Sequence, residues 1–350
     1  MSRVIEAAKK AKAASAQLAR LSTADKNRAL MEIARALDAN AEVIFAANRK
    51  DLEAAKPRVE AGEMNEALYR RLKLNDGKLR DIIAGVEQVA ALEDPVGKVT
   101  YGMKLDNGLR LYRVNCPIGV VGVIFESRPD ALVQITSLCF KSGNAVLLKG
   151  GREAEQTNRV LFEVIQTAAA GTGFADAMAL LESREDVNEM LKATGFVDLI
   201  IPRGSNALVR FVQDNTDIPV LGHAEGICHI YVDRAADLDK ASAIVLDAKL
   251  QYPAACNAVE TLLVAGEIAR EFLPRVVMEL SARGVEVRCD EASLAEYDLA
   301  GVHQATDADW ATEYCDLILS VKVVRGIDEA IQHINTYSSR HTDAIITEDA

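Results

Sequence analysis

The stretch Gln251-Tyr252-Pro253-Ala254-Ala255-Cys256-Asn257-Ala258-Val259-Glu260-Thr261 surrounds a thiol with a Pro, three Ala and an Asn. Small neighbours after a Pro leave Cys256 open to approach. Asn257 adds an amide and a backbone N–H beside it. A thiolate is a strong nucleophile near neutral pH when it has that access and nearby donors. The bland alternative is a buried apolar cysteine, which is what most free cysteines are. Two further stretches are suited to an anion. Lys149-Gly150-Gly151-Arg152 follows an apolar run and opens a helical one. Glycines let a backbone approach a ligand, and a helix start favours negative charge. Pro202-Arg203-Gly204-Ser205 repeats this layout. Neither is a G-x-G-x-x-G fingerprint, and an ordinary strand–helix turn explains both. Phe125-Glu126-Ser127-Arg128-Pro129 also ends an apolar run. Arg128 there suits a phosphate or carboxylate, or else a surface pair with Glu126. His223 and Glu225 are acid–base candidates or simply loop residues.

Composition limits what these residues can serve. The 350 residues are 49% hydrophobic and 26% charged, as in an ordinary globular protein. The net charge of −12 argues against nucleic acid or an anionic membrane as main partner. An anionic small molecule remains compatible, because a site needs only a few local cations. The six cysteines are widely spaced and no C-x-x-C occurs, which disfavours a disulfide scaffold or a structural zinc site. No metal site is expected. No signal peptide and no membrane-length apolar run are present, so a cytoplasmic location is expected.

The elements that must position these residues can be read in outline. Residues 1 to about 90 have helical apolar spacing, and Ser22-Thr23-Ala24-Asp25 reads as a helix start. Lys98–Leu105 and Leu109–Val114 alternate around Asp106-Asn107-Gly108, a hairpin signature. A two-stranded ribbon is marginal alone, so it is expected to lie against something else. Apolar runs then alternate with helical segments. Strands are expected at 119–125, 144–149, 197–201 and 218–221, as in a parallel, doubly covered sheet of dinucleotide-binding type. A second α/β unit is expected from about 261 onward. The domain boundary is placed just before Cys256, where a cleft would hold a ligand.

Taken together, Val123-Ile124-Phe125-Glu126-Ser127-Arg128-Pro129, Leu148-Lys149-Gly150-Gly151-Arg152-Glu153, Ile200-Ile201-Pro202-Arg203-Gly204, Cys228–Asp233 and Cys256–Val264 resemble the gamma-glutamyl phosphate reductases of the aldehyde dehydrogenase superfamily. The resemblance covers essentially the whole chain. It implies NADPH-dependent reduction of L-glutamyl 5-phosphate to L-glutamate 5-semialdehyde and phosphate, in proline biosynthesis. It implies that Cys256 is the catalytic cysteine, with Asn257 beside it in the oxyanion hole. Lys149, with Gly151 and Arg152, would meet the adenosine ribose and its 2′-phosphate. Gly204 and Ser205 would face the pyrophosphate. Where ordinary aldehyde dehydrogenases have Pro-Trp-Asn-Phe-Pro, this chain has Phe125-Glu126-Ser127-Arg128-Pro129, and there Arg128, with Ser127, is our own expectation for holding an anionic group of the substrate. The superfamily's general-base Glu falls near Gly222, and the closest acid is Glu225. Without that base an acyl-enzyme escapes hydrolysis.

The expected fold is therefore α/β and aldehyde-dehydrogenase-like. An NADP-binding domain would span 1–97 and 116–254, an oligomerisation arm 98–115, and a catalytic domain 255–350. The resemblance also implies a further segment beyond Ala350 that lines the substrate site and pairs with the arm. Homo-oligomerisation through the arm is expected where that segment is present, and a weak or dead enzyme where it is not. The alternatives are an acylating dehydrogenase for another activated acid and a non-catalytic truncated subunit.

Overall fold

The computed structural model describes residues 2–349 except Asn65, Ser127, Ser205, His223, Ala224, Asp298 and Ala300; for Glu66, Ala67 and Asn206 it describes the backbone alone. The chain divides into two compact units, residues 1–222 and 223–350.

The first unit begins with helices α1 (Arg3–Leu18), α2 (Thr23–Ala39), α3 (Ala41–Glu60), α4 (Glu66–Leu72) and α5 (Asp76–Ala91). Their starts follow capping chemistry. Ser22 accepts from the Asp25 N–H and Asn75 from the Lys78 N–H, each satisfying an otherwise orphan donor. Strands β1 (Val99–Lys104) and β2 (Arg110–Val114) form the expected antiparallel hairpin. Asn107 and Gly108 supply its turn with φ of 57° and 80°, a conformation that Asn and Gly tolerate best. Gly102 faces Tyr112 across the ladder, and a Cβ there would meet its ring at 3.1 Å. Every residue of both strands is exposed, and Leu109 beside them is 63% and Tyr112 54% exposed. Within this chain, then, the ribbon does not lie against a covering surface.

A parallel sheet follows: β3 (Val120–Phe125), α6 (Pro129–Lys141), β4 (Ala145–Lys149), α7 (Glu155–Ala168), β5 (Met178–Leu181), α8 (Arg184–Leu191), β6 (Leu199–Arg203) and α9 (Asn206–Asp214). Strands β3 and β4 are buried at every position, which explains their unbroken apolar runs. The strand order is β5-β4-β3-β6. The chain thus builds outward on one side of β3 and then reverses to the other. That reversal places a topological switch point between β3 and β6. One expectation about this sheet needs correction. Residues 218–221 form no strand; Val220 makes only an isolated bridge to Ile200. The sheet takes its fourth member instead from Met178–Leu181, too short an edge segment to show a period.

The second unit contains β7 (Cys228–Val232), α10 (Leu238–Leu250), β8 (Val259–Ala265), α11 (Gly266–Ser281), β9 (Glu286–Cys289), α12 (Glu291–Glu296), β10 (His303–Gln304), β11 (Ile318–Val324), α13 (Ile327–Tyr337) and β12 (Asp343–Ile346). Its strands run in the order β10-β9-β11-β8-β7-β12, all described pairs being parallel. The division therefore falls after Gly222, and not between 254 and 255. Strand β7 lies between β8 and β12, and its Ile230 and Val232 share one core with Leu262 and Val264 of β8. Proximity in sequence to the first sheet gave no sign of which sheet β7 joins. Among the described residues, no helix is long and apolar enough to cross a membrane.

Candidate active site

In the first unit the anion-suited residues gather at the C-terminal edge of the sheet. Ile124 of β3 is level with Lys149 of β4, and Phe125 with Arg203 of β6. Lys149 and Gly204 thus flank the end of β3, beside the switch point. Lys149 is buried, and its Nζ donates to the Gly150 carbonyl at 2.5 Å. Burial lowers its pKa, and the neighbouring Arg152 cation lowers it further. Arg152 itself is exposed on the short turn that precedes α7. The Glu153 and Asp186 carboxylates pull the Lys149 pKa the other way, but no described carboxylate is hydrogen-bonded to Lys149. A Cβ at Gly204 would lie 2.6 Å from the Glu126 carboxylate, so only glycine lets that side chain cross the start of the α9 turn.

At the start of α7 the structure adds a partner that the local sequence did not announce. Asp51 of α3, itself buried, reaches it first. Its carboxylate accepts from the Gln156 N–H at 3.1 Å and from the Thr157 N–H and hydroxyl at 2.8 and 2.6 Å. One turn earlier, Asn48 donates to Thr157 Oγ1 and the Leu72 carbonyl. Two of the orphan donors of this helix are therefore already met by the protein's own carboxylate. The Gln156 and Thr157 N–H groups are thus not open to an anion at the Lys149-Gly150-Gly151-Arg152 turn. Gly150 is likewise an internal requirement: a Cβ there would meet Asn158 at 2.3 Å and the Phe125 ring at 3.2 Å. The sequence did carry a sign of this cap, since Asn48 and Asp51 are polar residues on the buried stripe of α3 with Ile44, Ala47 and Ala55.

Arg128 is exposed, and its guanidinium pairs with Asp130 at 3.0 Å, in the first turn of α6. Ser127 and Ser205 lie outside the described residues, as does His223.

In the second unit Cys256 and Asn257 are exposed on the turns between α10 and β8. The Ala255 N–H bonds to the Tyr252 carbonyl and the Ala258 N–H to the Ala255 carbonyl, both at 2.9 Å, which folds the loop back on itself. The Cys256 carbonyl accepts from the Cys228 thiol at 3.3 Å. Gly226 presses on the same atom: a Cβ there would stand 2.0 Å from the Cys256 carbonyl oxygen. At the base of the loop Lys249 and Glu260 pair at 2.7 Å with side chains only 0% and 1% exposed. Burial pushes the Glu260 carboxyl up to about 7 against the pull of Lys249. Neither residue stands out in the sequence, although Lys249 continues the buried stripe of Ala241, Ser242 and Val245 on α10.

The other cysteines are separated from Cys256 by environment. Burial pushes Cys139 and Cys289 up to about 12 and Cys228 to about 11. Cys315 is raised to about 11 by partial burial and by the Glu313 and Glu260 carboxylates. These four stay as thiols at neutral pH. Cys116 is exposed like Cys256, but it follows the hairpin and lies outside any gathered constellation. Among the described residues, no group of three or more His, Cys, Asp or Glu is placed to hold a metal.

Residues 1–316 match the Aldehyde dehydrogenase family. The chain is 55% identical over 337 residues to the gamma-glutamyl phosphate reductase of Ruminiclostridium cellulolyticum, spanning 96% of this chain and 76% of that protein. It is 53% identical over 346 residues to the enzyme of that name from Methanosarcina mazei, with 97% and 77% covered. The crystal structure of gamma-glutamyl phosphate reductase from Thermotoga maritima superposes with a TM-score of 0.95 at 43% identity, over 99% of this chain and 83% of that one. Likeness of this extent in sequence and fold assigns the chain to the aldehyde dehydrogenase family and, within it, to the gamma-glutamyl phosphate reductases.

Proposed function

We propose that this chain reduces L-glutamyl 5-phosphate to L-glutamate 5-semialdehyde and phosphate, the reaction of proline biosynthesis, with Cys256 as nucleophile and NADPH as reductant. The observation that carries the reading is the exposed Cys256 thiol on a loop whose backbone is held from below and from the side. The Cys256 sulfur attacks the acyl carbon and phosphate departs, leaving a thioester. The Asn257 side chain and the backbone N–H groups of Cys256 and Asn257 are the nearest donors for the oxyanion. Arg128, whose described ion pair is the exposed one to Asp130, can turn to a substrate anion at little energetic cost, because such pairs are worth little. Collapse of the reduced adduct returns the Cys256 thiolate and releases the aldehyde.

The first unit's residues fit a phosphorylated dinucleotide. Lys149 and Arg152 present two cations for a ribose 2′-phosphate, and Gly151 adds no side chain of its own to the turn between them. The Gln156 and Thr157 N–H groups of α7 are taken by Asp51, so the two cations carry most of the charge recognition of that phosphate. The chemistry that a bound reduced nicotinamide would supply is hydride delivery to the acyl carbon. The exposed hairpin supports a homo-oligomer, since contiguous apolar surface of this kind marks an interaction site.

The test is the reverse reaction of the purified chain with glutamate 5-semialdehyde, phosphate and NADP⁺. NADPH formation that requires phosphate, and that Cys256→Ser abolishes without loss of dinucleotide binding, is expected. A serine variant that retained more than a few per cent of turnover would remove Cys256 from the role, because a hydroxyl is a far poorer nucleophile.

A further inference from the structure

The Cys256 loop has a buried ion pair at its two feet. Lys249 stands in the last turn of α10 and Glu260 is the second residue of β8, so the pair spans every residue that carries the thiol. Lys249 Nζ also donates to the Val259 carbonyl at 3.0 Å. The second Glu260 oxygen accepts from the Cys315 N–H at 3.3 Å, and Cys315 is one of the few described non-glycine residues with positive φ, at 53°. Three segments are thereby joined under one turn.

The ladder between β7 and β8 is interrupted at the same place. Cys228 faces Val259, yet His229 faces Thr261, which leaves Glu260 as the extra residue of a bulge. A bulge re-aims its extra side chain and is over-represented beside active sites. Stability alone does not account for the pair. Removing two ions from water is expensive, and well-packed apolar replacements of similar volume are often neutral or stabilising. A bulge and two buried charges in one place point to a geometric requirement.

We propose that Lys249 and Glu260 are positioning residues for the Cys256 thiol: their ion pair clamps the end of α10 to the bulged start of β8 and so sets where the loop presents its sulfur. The effect on turnover rests on Cys256 being the nucleophile; the effect on the loop does not. On the other side of the loop the Cys228 thiol donates to the Cys256 carbonyl, and Gly226 lies so near that a Cβ there would stand 2.0 Å from it. A shift of the main chain at Cys256 would therefore stretch the Cys228 bond or close on Gly226.

The experiment uses the double variant Lys249→Met/Glu260→Met, which removes both charges at similar volume and strands neither. Three quantities are read: the urea unfolding midpoint, the rate of Cys256 alkylation by iodoacetamide followed by peptide mass spectrometry, and kcat and KM in the reverse assay. The expected result is a midpoint near that of the wild type, an altered Cys256 alkylation rate, and a kcat lowered about tenfold or more with little change in KM. Lys249→Arg, which keeps the ion pair, should recover most of both rates. A folded double variant whose alkylation rate and kcat both stay within about twofold of wild type overturns the proposal. A changed alkylation rate with unchanged kcat upholds the clamp and instead sinks Cys256 as nucleophile. Should the double variant not fold, Glu260→Gln, which keeps the shape and removes the ionic bond, is measured in the same three ways, and the same outcomes uphold or overturn the clamp.

Discussion

Replacing Gly226 by Ala adds one methyl group at the most crowded point around the thiol loop. The new Cβ would stand 2.0 Å from the Cys256 carbonyl oxygen and 2.8 Å from its carbon, where ordinary contact begins at 3.4 Å. Both are main-chain atoms, so no rotamer change relieves the clash. The third neighbour, Glu313 Oε1 at 3.0 Å, is the end of a side chain and can give. The segment at 226 and the loop at 256 must therefore part by about 1.4 Å, the shortfall from ordinary van der Waals contact. Overpacking of this kind costs about 1–3 kcal/mol of stability. A displacement of about 1 Å in a catalytic group costs roughly 10²-fold in rate, equivalent to about 2.7 kcal/mol of barrier. The expected outcome is thus a folded variant with kcat down about a hundredfold and a modestly lower urea midpoint. Gly85→Ala serves as control: in α5 a Cβ there meets nothing within 4 Å, so activity should be unchanged and stability equal or slightly higher. The assay is the phosphate-dependent reverse reaction with kcat and KM determined separately. A Gly226→Ala enzyme with kcat within about threefold of wild type and an unchanged midpoint would show that the contact yields freely and that the Cys256 backbone is not held there.

Further outcomes can be checked on the same protein. Lys149→Ala/Arg152→Ala should lower the preference for NADPH over NADH by one to two decades, since a hydrogen bond to a charged group is worth ~1.5–3 kcal/mol; an unchanged ratio would place the 2′-phosphate elsewhere. Burial works against the Asp309 carboxylate, but hydrogen bonds from Tyr314, Thr306 and Arg288 outweigh it and hold its pKa well below the usual range. The folded state therefore binds fewer protons than the unfolded chain, and this stability is complete above ~pH 4 and lost as pH falls below it. Asp309→Asn should lower stability at pH 6 by about 1–3 kcal/mol. It should also flatten the decline between about pH 4 and 3 in urea unfolding; an unaltered slope would refute the assignment. Leu109→Ser/Tyr112→Ser, on the exposed hairpin, should lower the mass measured by light scattering while leaving circular dichroism unchanged. The same mass as wild type would exclude the ribbon as the contact.

What the sequence determined by itself was whatever depends on neighbours along the chain. β3 and β4 were legible as unbroken apolar runs because both faces of a parallel strand are covered. The hairpin was legible because Asn107-Gly108 accepts positive φ. Cys256 was legible as an accessible thiol because small residues surround it. Tertiary structure decided what depends on residues far apart in the chain. Asp51 caps the Gln156 N–H of α7 from 105 positions away, a contact that neighbours along the chain do not announce. β7 joins the second sheet, since an apolar strand carries no mark of which sheet it enters. Lys249 and Glu260 are 11 positions apart and look like an ordinary helix end and strand start. Only when the strand bulges and the helix packs behind it do their charges meet out of water, beneath the loop that carries the thiol.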